Sequence, residues 1–112
     1  MINQFKQGDI VFMDFNPIRG HVQFGKRPAI IVSSNDYQRI MGMAIVCPIT
    51  NNTKYFPTHI LLDNRTKTTG SILCEQIKSV DLVSRNAQFI EKLPNDLLEE
   101  VLDIVNSFFS TN

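Results

Sequence analysis

The 112-residue sequence has no tryptophan, two cysteines, two histidines and no net charge, with eleven Lys and Arg against eleven Asp and Glu. Each shortage removes a class of protein. Cys47 and Cys74 are too few for a disulfide framework, and no metal-ligand spacing surrounds either. His21 and His59 fall in no HExxH pattern and beside no Cys or acid at ligand spacing, which argues against a zinc enzyme and predicts no metal or other cofactor. No P-loop or GxSxG nucleophile elbow occurs. The apolar stretches, such as 29–32 and 60–62, are too short to cross a bilayer. The first nine residues lack the apolar core of a signal peptide, so the expected location is the cytoplasm. Read as one number, the zero charge argues against a nucleic-acid partner, because phosphate binders are usually basic.

What is present reads as a folded chain. Hydrophobic residues make up 43% and charged residues 20%, which excludes a disordered polymer. With no repeat, linker or low-complexity tract, the length fits one domain over 1–112. The zero also conceals a split. Residues 1–80 carry nine Lys and Arg against five acids, a net +4. Residues 81–112 carry Arg85 and Lys92 against six acids, a net −4. Two explanations compete on charge alone: an anionic partner for the first segment, or a C-terminal helix with a solvated acidic face.

Residues 10–15 are β-branched and aromatic and predict a strand that ends at the Asn16-Pro17 turn. A polar loop follows to Lys26, long enough to suspect function. Residues 27–34 form a second strand, whose continuous apolar run implies burial on both faces. A short helix over 35–40 is capped by Ser34 or Asn35. Further strands are expected at 43–50, 58–62 and 71–83, the last broken near 76–78. Short strands separated by turns, with no long helix between them, indicate a small antiparallel barrel or highly twisted sheet, mainly β in an α+β chain. Pro94-Asn95-Asp96 then opens an amphipathic helix. Leu97, Leu98, Val101, Leu102, Val105, Phe108 and Phe109 form its apolar stripe, with acids opposite. The stripe covers one barrel face, and the two terminal phenylalanines are candidates for a dimer contact.

The two cysteines lie within apolar strands and read as inert core residues. The polar residues that remain cluster around the loop at 20–27. Gly8-Asp9-Ile10-Val11, Asp14-Phe15-Asn16-Pro17 and the run from Gly20-His21-Val22-Gln23 through Arg27-Pro28 to Ser33 resemble the MazF/PemK toxins. Val46-Cys47-Pro48-Ile49-Thr50, Thr69-Gly70 and Cys74-Glu75-Gln76-Ile77-Lys78 extend the resemblance, in order, over nearly the whole chain.

The resemblance implies an SH3-like barrel of the CcdB/MazF type, with a short helix after the second strand and a C-terminal helix. It implies a homodimer and a sequence-specific, metal-independent endoribonuclease, the toxin of a type II toxin–antitoxin pair. In such enzymes the ribose 2′-OH attacks the adjacent phosphate of single-stranded mRNA, leaving a 2′,3′-cyclic phosphate and a 5′-OH. The partner would be an antitoxin with an acidic tail, and operator DNA would be reached through that complex; no membrane is involved.

Residue by residue, Arg27 matches the family arginine and Thr50 the active-site threonine. His21 and Glu75 are the two candidates for the base, His21 having the better-placed ordinary pKa. Arg19, Gly20, Gln23, Lys26, Lys54, Gln76 and Lys78 are the expected RNA contacts, with Phe24, Tyr55 and Phe56 as stacking surfaces or, equally, core residues. Two positions depart from the family. Val22 replaces its usual Glu, and Leu73 stands where the PemK branch has a second catalytic arginine. Two alternatives therefore stay open: a barrel without catalysis that binds nucleic acid or antitoxin, and a gyrase poison of the CcdB type. The latter is disfavoured by the missing tryptophan.

Overall fold

Among the described residues seven strands and two helices form, all but the last strand where the patterning places apolar and turn residues. The computed structural model describes residues 4–15, 25–52 and 54–111. In chain order the elements are β1 (Asp9–Asp14), β2 (Lys26–Ile31), α1 (Asn35–Met41), β3 (Ala44–Thr50), β4 (His59–Leu61), β5 (Ser71–Leu73), β6 (Lys78–Val80), β7 (Gln88–Lys92) and α2 (Asn95–Ser107). All pairings are antiparallel, in the order β4-β5-β3-β2-β1-β7, and β6 also pairs with β3.

The segment 71–80 explains how one strand serves two neighbours. Thr50 lies opposite Ser71 and Val46 opposite Lys78, so four steps along β3 face seven along its partner. A 3-10 turn at Cys74–Gln76 takes up the surplus. The expected break is thus present, slightly earlier than the sequence suggested. Pro48, which has no N–H to donate, occupies β3 opposite this interruption.

Side chains alternate across the sheet and supply two cores. Val11, Met13, Phe15, Ala29, Ile31, Ala44, Val46, Val80 and Leu82 form the inner one, with Phe5. Ile10, Ile30, Cys47, Ile49, Ile72 and Cys74 point the other way, beneath Leu97 and Val101 of α2. Burial of β2 on both faces follows, as its apolar run implied. Each such aliphatic contributes about 1.5–3 kcal/mol of burial. The acids of α2, Glu99, Glu100 and Asp103, are exposed on its far side. The helix ends at Ser107, so Phe108 and Phe109 lie beyond it and remain exposed rather than completing its stripe.

Barrel-like curvature has a simple cause. β6 pairs with β3 and β7 pairs with β1, yet only residues 81–87 join β6 to β7. The two must therefore approach within the reach of a short turn. That turn is tied to β1: the amide of Asp14 donates to the Arg85 carbonyl at 2.9 Å, and the Arg85 guanidinium donates to the carbonyls of Asp14 and Phe15. Asn86 takes the left-handed conformation that its short polar side chain tolerates, and its amide reaches Asp14 Oδ2 at 3.0 Å. Among the described residues no ladder links β6 to β7, so the expected barrel is an incompletely closed one. β7 was not anticipated from the sequence. Its five residues are largely solvent-facing, and an exposed edge strand leaves little hydrophobic periodicity to read.

Candidate functional site

The same alternation that fills the inner core carries a different set of residues at its open end. Arg27 shares a face with Ala29 and Ile31, Thr50 with Val46, and Lys78 with Val80. Their strands are in register: Arg27 lies opposite Met13, Pro48 opposite Ala29 and Lys78 opposite Val46. The inward row of each strand thus passes from buried aliphatics to a cation or hydroxyl at the mouth. There a cavity of about 540 Å³ is lined by Phe15, Arg27, Pro48, Thr50, Asn52, Leu73, Gln76, Ile77 and Lys78.

Two of the polar groups in this cavity are oriented by their neighbours. The Thr50 hydroxyl accepts the backbone N–H of Asn52 at 3.1 Å, which leaves its own hydrogen to donate into the cavity. Behind it, Gly70 adopts φ +113°, so its backbone packs against the Thr50 carbonyl. Lys78 Nζ stands 5.1 Å from the centroid of Phe15, a cation–π contact that holds the ammonium beside the apolar floor. Arg27 is exposed at the rim. Lys26 points elsewhere, over Phe12 at 5.7 Å. Two cations, a hydroxyl and two amides on a partly apolar floor suit a phosphodiester flanked by bases.

Glu75 is placed differently from Gln76 beside it. Its carboxylate accepts the Thr58 hydroxyl at 2.6 Å and lies 3.1 Å from His59 Nε2, and it does not line the cavity. Partial burial favours the protonated acid, but the hydrogen bonds from Thr58 and His59 outweigh it and hold the carboxyl below the usual range. The fold thus pairs His59 with an acid 16 residues away in sequence. Tyr55 and Phe56 are exposed at 86% and 56%, as stacking surfaces must be and core residues cannot. Lys54 is on the same exposed loop. Arg19, Gly20, His21, Gln23 and Phe24, with the departure at Val22, lie outside the described residues.

Cys47 and Cys74 are buried and unpaired with each other. Burial above all, and the nearby Glu75 carboxylate, push the Cys74 thiol up to about 11, and the Cys47 thiol rises further. Asn52 was missed in the sequence, where it reads only as part of a polar turn. Among the described residues no group of three or more His, Cys, Asp or Glu is placed to hold a metal ion.

Residues 6–109 match the family described as PemK-like, MazF-like toxins of type II toxin–antitoxin systems. The chain belongs to that family. It is 29% identical to the endoribonuclease PemK of Escherichia coli over 104 residues, covering 89% of this chain and 78% of PemK. The solved MazF of Deinococcus radiodurans superposes with a TM-score of 0.81 at 32% identity, covering 92% of this chain and 94% of that one. A MazE–MazF complex from the same organism gives a TM-score of 0.80 at 27% identity, over 96% of each chain. The PemK/MazF assignment agrees with the antiparallel, barrel-like sheet and places the cavity in a toxin fold whose relatives are named endoribonucleases.

Proposed function

We propose that the chain, acting as one domain, cleaves single-stranded mRNA at this cavity as the toxin of a type II toxin–antitoxin pair. The observation that carries the reading is the convergence of Arg27, Thr50 and Lys78 from three strands on one open cavity. Arg27 offers two parallel N–H donors to the non-bridging phosphate oxygens, and the Thr50 hydroxyl offers a third. Lys78 supplies the second positive charge that the developing phosphorane needs. It does so although Leu73, the residue at the family's second arginine position, lines the cavity as an aliphatic. Loss of that arginine therefore leaves the site with two cations.

The 2′-oxygen attacks the adjacent phosphorus as the bond to the 5′-oxygen breaks. The proton leaves the 2′-OH and reappears on the 5′-oxygen, giving a 2′,3′-cyclic phosphate and a 5′-OH. We assign His21 as the base, because Glu75 already accepts two hydrogen bonds and does not line the cavity. Gln76 and Asn52 offer amides to the bases flanking the cut, while Lys54, with Arg19, Gly20 and Gln23, extends the backbone grip. No step calls on a metal.

The same positive mouth suits the acidic tail of an antitoxin, whose complex would carry the toxin to operator DNA. Exposed Phe108 and Phe109 offer apolar surface to a second copy in a homodimer. The place of action would be the cytoplasm.

The test incubates the purified protein with long single-stranded RNA in EDTA and maps the 5′ ends. Discrete cuts leaving 5′-OH, lost in Arg27→Ala and Thr50→Ala, support the reading. Intact RNA overturns it, and a gyrase assay then separates a gyrase poison from a barrel that only binds.

A further inference from the structure

His59 is the hub of the loop that leaves the cavity at Asn52. Its backbone N–H donates to the Phe56 carbonyl at 2.9 Å, and its ring lies 5.6 Å from the Phe56 ring, tilted by 46°. Its Nδ1 is 3.1 Å from the Lys54 carbonyl and its Nε2 is 3.1 Å from Glu75 Oε2. The two ring nitrogens therefore bridge the loop backbone and the Glu75 carboxylate. Thr58, next in sequence, fastens the same two segments: its hydroxyl donates to Glu75 and its carbonyl accepts the Cys74 amide at 3.1 Å. Residues 54–59 are thus stapled to the 3-10 turn that carries Gln76 into the cavity. Burial contributes little to holding the loop, since Lys54, Tyr55, Phe56 and Pro57 are all exposed. The His59 side chain, by contrast, is only 12% exposed.

We infer that His59 is a positioning residue for RNA: by pinning the loop at 54–58 to the turn at Glu75, it fixes where Tyr55, three residues after the cavity-lining Asn52, presents its exposed ring. The inference rests on the proposed endoribonuclease reading and assigns a role that the reaction chemistry does not supply. His59 does not line the cavity and touches no reacting atom. An exposed aromatic grips a base well only when its place is set in advance, because ordering a loop on binding costs free energy. Loss of His59 therefore weakens substrate binding and leaves the chemical step intact.

The side chains of Asn and Gln divide the two ring contacts. His59→Asn can keep the donor to the Lys54 carbonyl, and His59→Gln can keep the donor to Glu75. Cleavage of single-stranded RNA is measured for the wild type, His59→Ala, His59→Asn and His59→Gln, with folding checked by circular dichroism. The expected result is a KM raised roughly tenfold in His59→Ala with kcat within about twofold, and partial recovery of KM in His59→Gln.

A second readout does not need catalysis. With no tryptophan, the protein's intrinsic emission comes from Tyr37 and Tyr55. In a Tyr37→Phe background, a single-stranded 2′-O-methyl RNA, which has no free 2′-OH to react, should quench Tyr55. His59→Ala should need roughly tenfold more oligonucleotide for the same quench. Wild-type KM and quenching in folded His59→Ala overturn the inference, as does a fall in kcat at unchanged KM. If His59→Ala does not fold, the comparison passes to His59→Gln and His59→Asn, and wild-type KM and quenching in both overturn it equally. Failure of the endoribonuclease reading looks different: the wild type itself then leaves RNA uncut.

Discussion

Gly70 and Thr50 are in backbone contact: a Cβ built at Gly70 would collide with the Thr50 carbonyl oxygen and lie 2.7 Å from its carbonyl carbon. No side chain can yield to relieve this, because the neighbour is backbone. Gly70→Ala must displace the end of β3 and also force a rare positive φ on alanine, at a cost of roughly 1–3 kcal/mol. The expected outcome is a lowered Tm together with loss of RNA cleavage, since the displaced residue is the one whose hydroxyl faces the cavity. Equal cleavage per folded molecule in wild type and variant would contradict the role given to Thr50.

Arg27 is exposed at the rim and anchors no core, so Arg27→Ala should change stability by no more than about 0.5 kcal/mol. Its loss should nevertheless lower kcat roughly 10²–10³-fold, the usual effect of removing one preorganised donor at a developing negative charge. Arg27→Lys should recover little, because a point charge cannot reproduce the two parallel donors. Thermal melts and single-turnover cleavage on the same preparations check both halves.

Lys78 is read as a phosphate contact, which salt titration can test. Binding of non-cleavable single-stranded RNA should weaken as salt rises. The Lys78→Ala variant should show a log–log slope shallower by roughly 0.7, the effect of one fewer counterion released from a single strand. An unchanged slope would remove Lys78 from the site. Tenfold weaker binding at every salt concentration would point to a contact other than phosphate.

Two carboxylates tie segments together and make stability depend on acid. Glu91 accepts the backbone N–H groups of Lys67 and Thr68 and the Thr68 hydroxyl, fastening the 62–70 connection to β7. Partial burial would raise the Glu91 carboxyl, but these donors outweigh it and lower it, as happens for Glu75. A carboxyl depressed in the folded state stabilises fully above its unfolded value near about 4.3, and that stability is lost as pH falls through the folded value. Urea midpoints should therefore fall below about pH 4. Glu91→Gln should be less stable than wild type at pH 7 and approach it at pH 3. A constant difference at both pH values would argue that the carboxylate charge plays no part.

Both thiols should be inert in the native protein. Cys47 and Cys74 are fully buried, and burial keeps them protonated at neutral pH. An aromatic disulfide reagent should label neither at pH 8 and both once denaturant is added. Rapid native labelling would show that the outer core opens.

Local patterning specified much of this protein. The strands of the first half, the two helices with their starts near Ser34 or Asn35 and at Pro94, and the break between residues 71 and 83 could all be read from apolar spacing and turn residues, because those signals act over a few positions. Arg27 and Thr50 could be named as site residues on family resemblance and Lys78 as a cation for RNA, but nothing local says that they share a cavity. That came from register: Arg27 across from Met13, Pro48 from Ala29 and Lys78 from Val46 bring residues distant in sequence to one mouth. β7 escaped notice because an exposed edge strand is specified by backbone pairing to β1 and not by its own hydrophobicity. The roles of Glu75 and His59 were hidden for the same reason. A carboxylate and an imidazole that are 16 positions apart become partners only when the sheet folds β4 against the turn after β5. Spacing along the chain states which groups are available; which of them are already engaged, and which face the substrate, depends on long-range pairing.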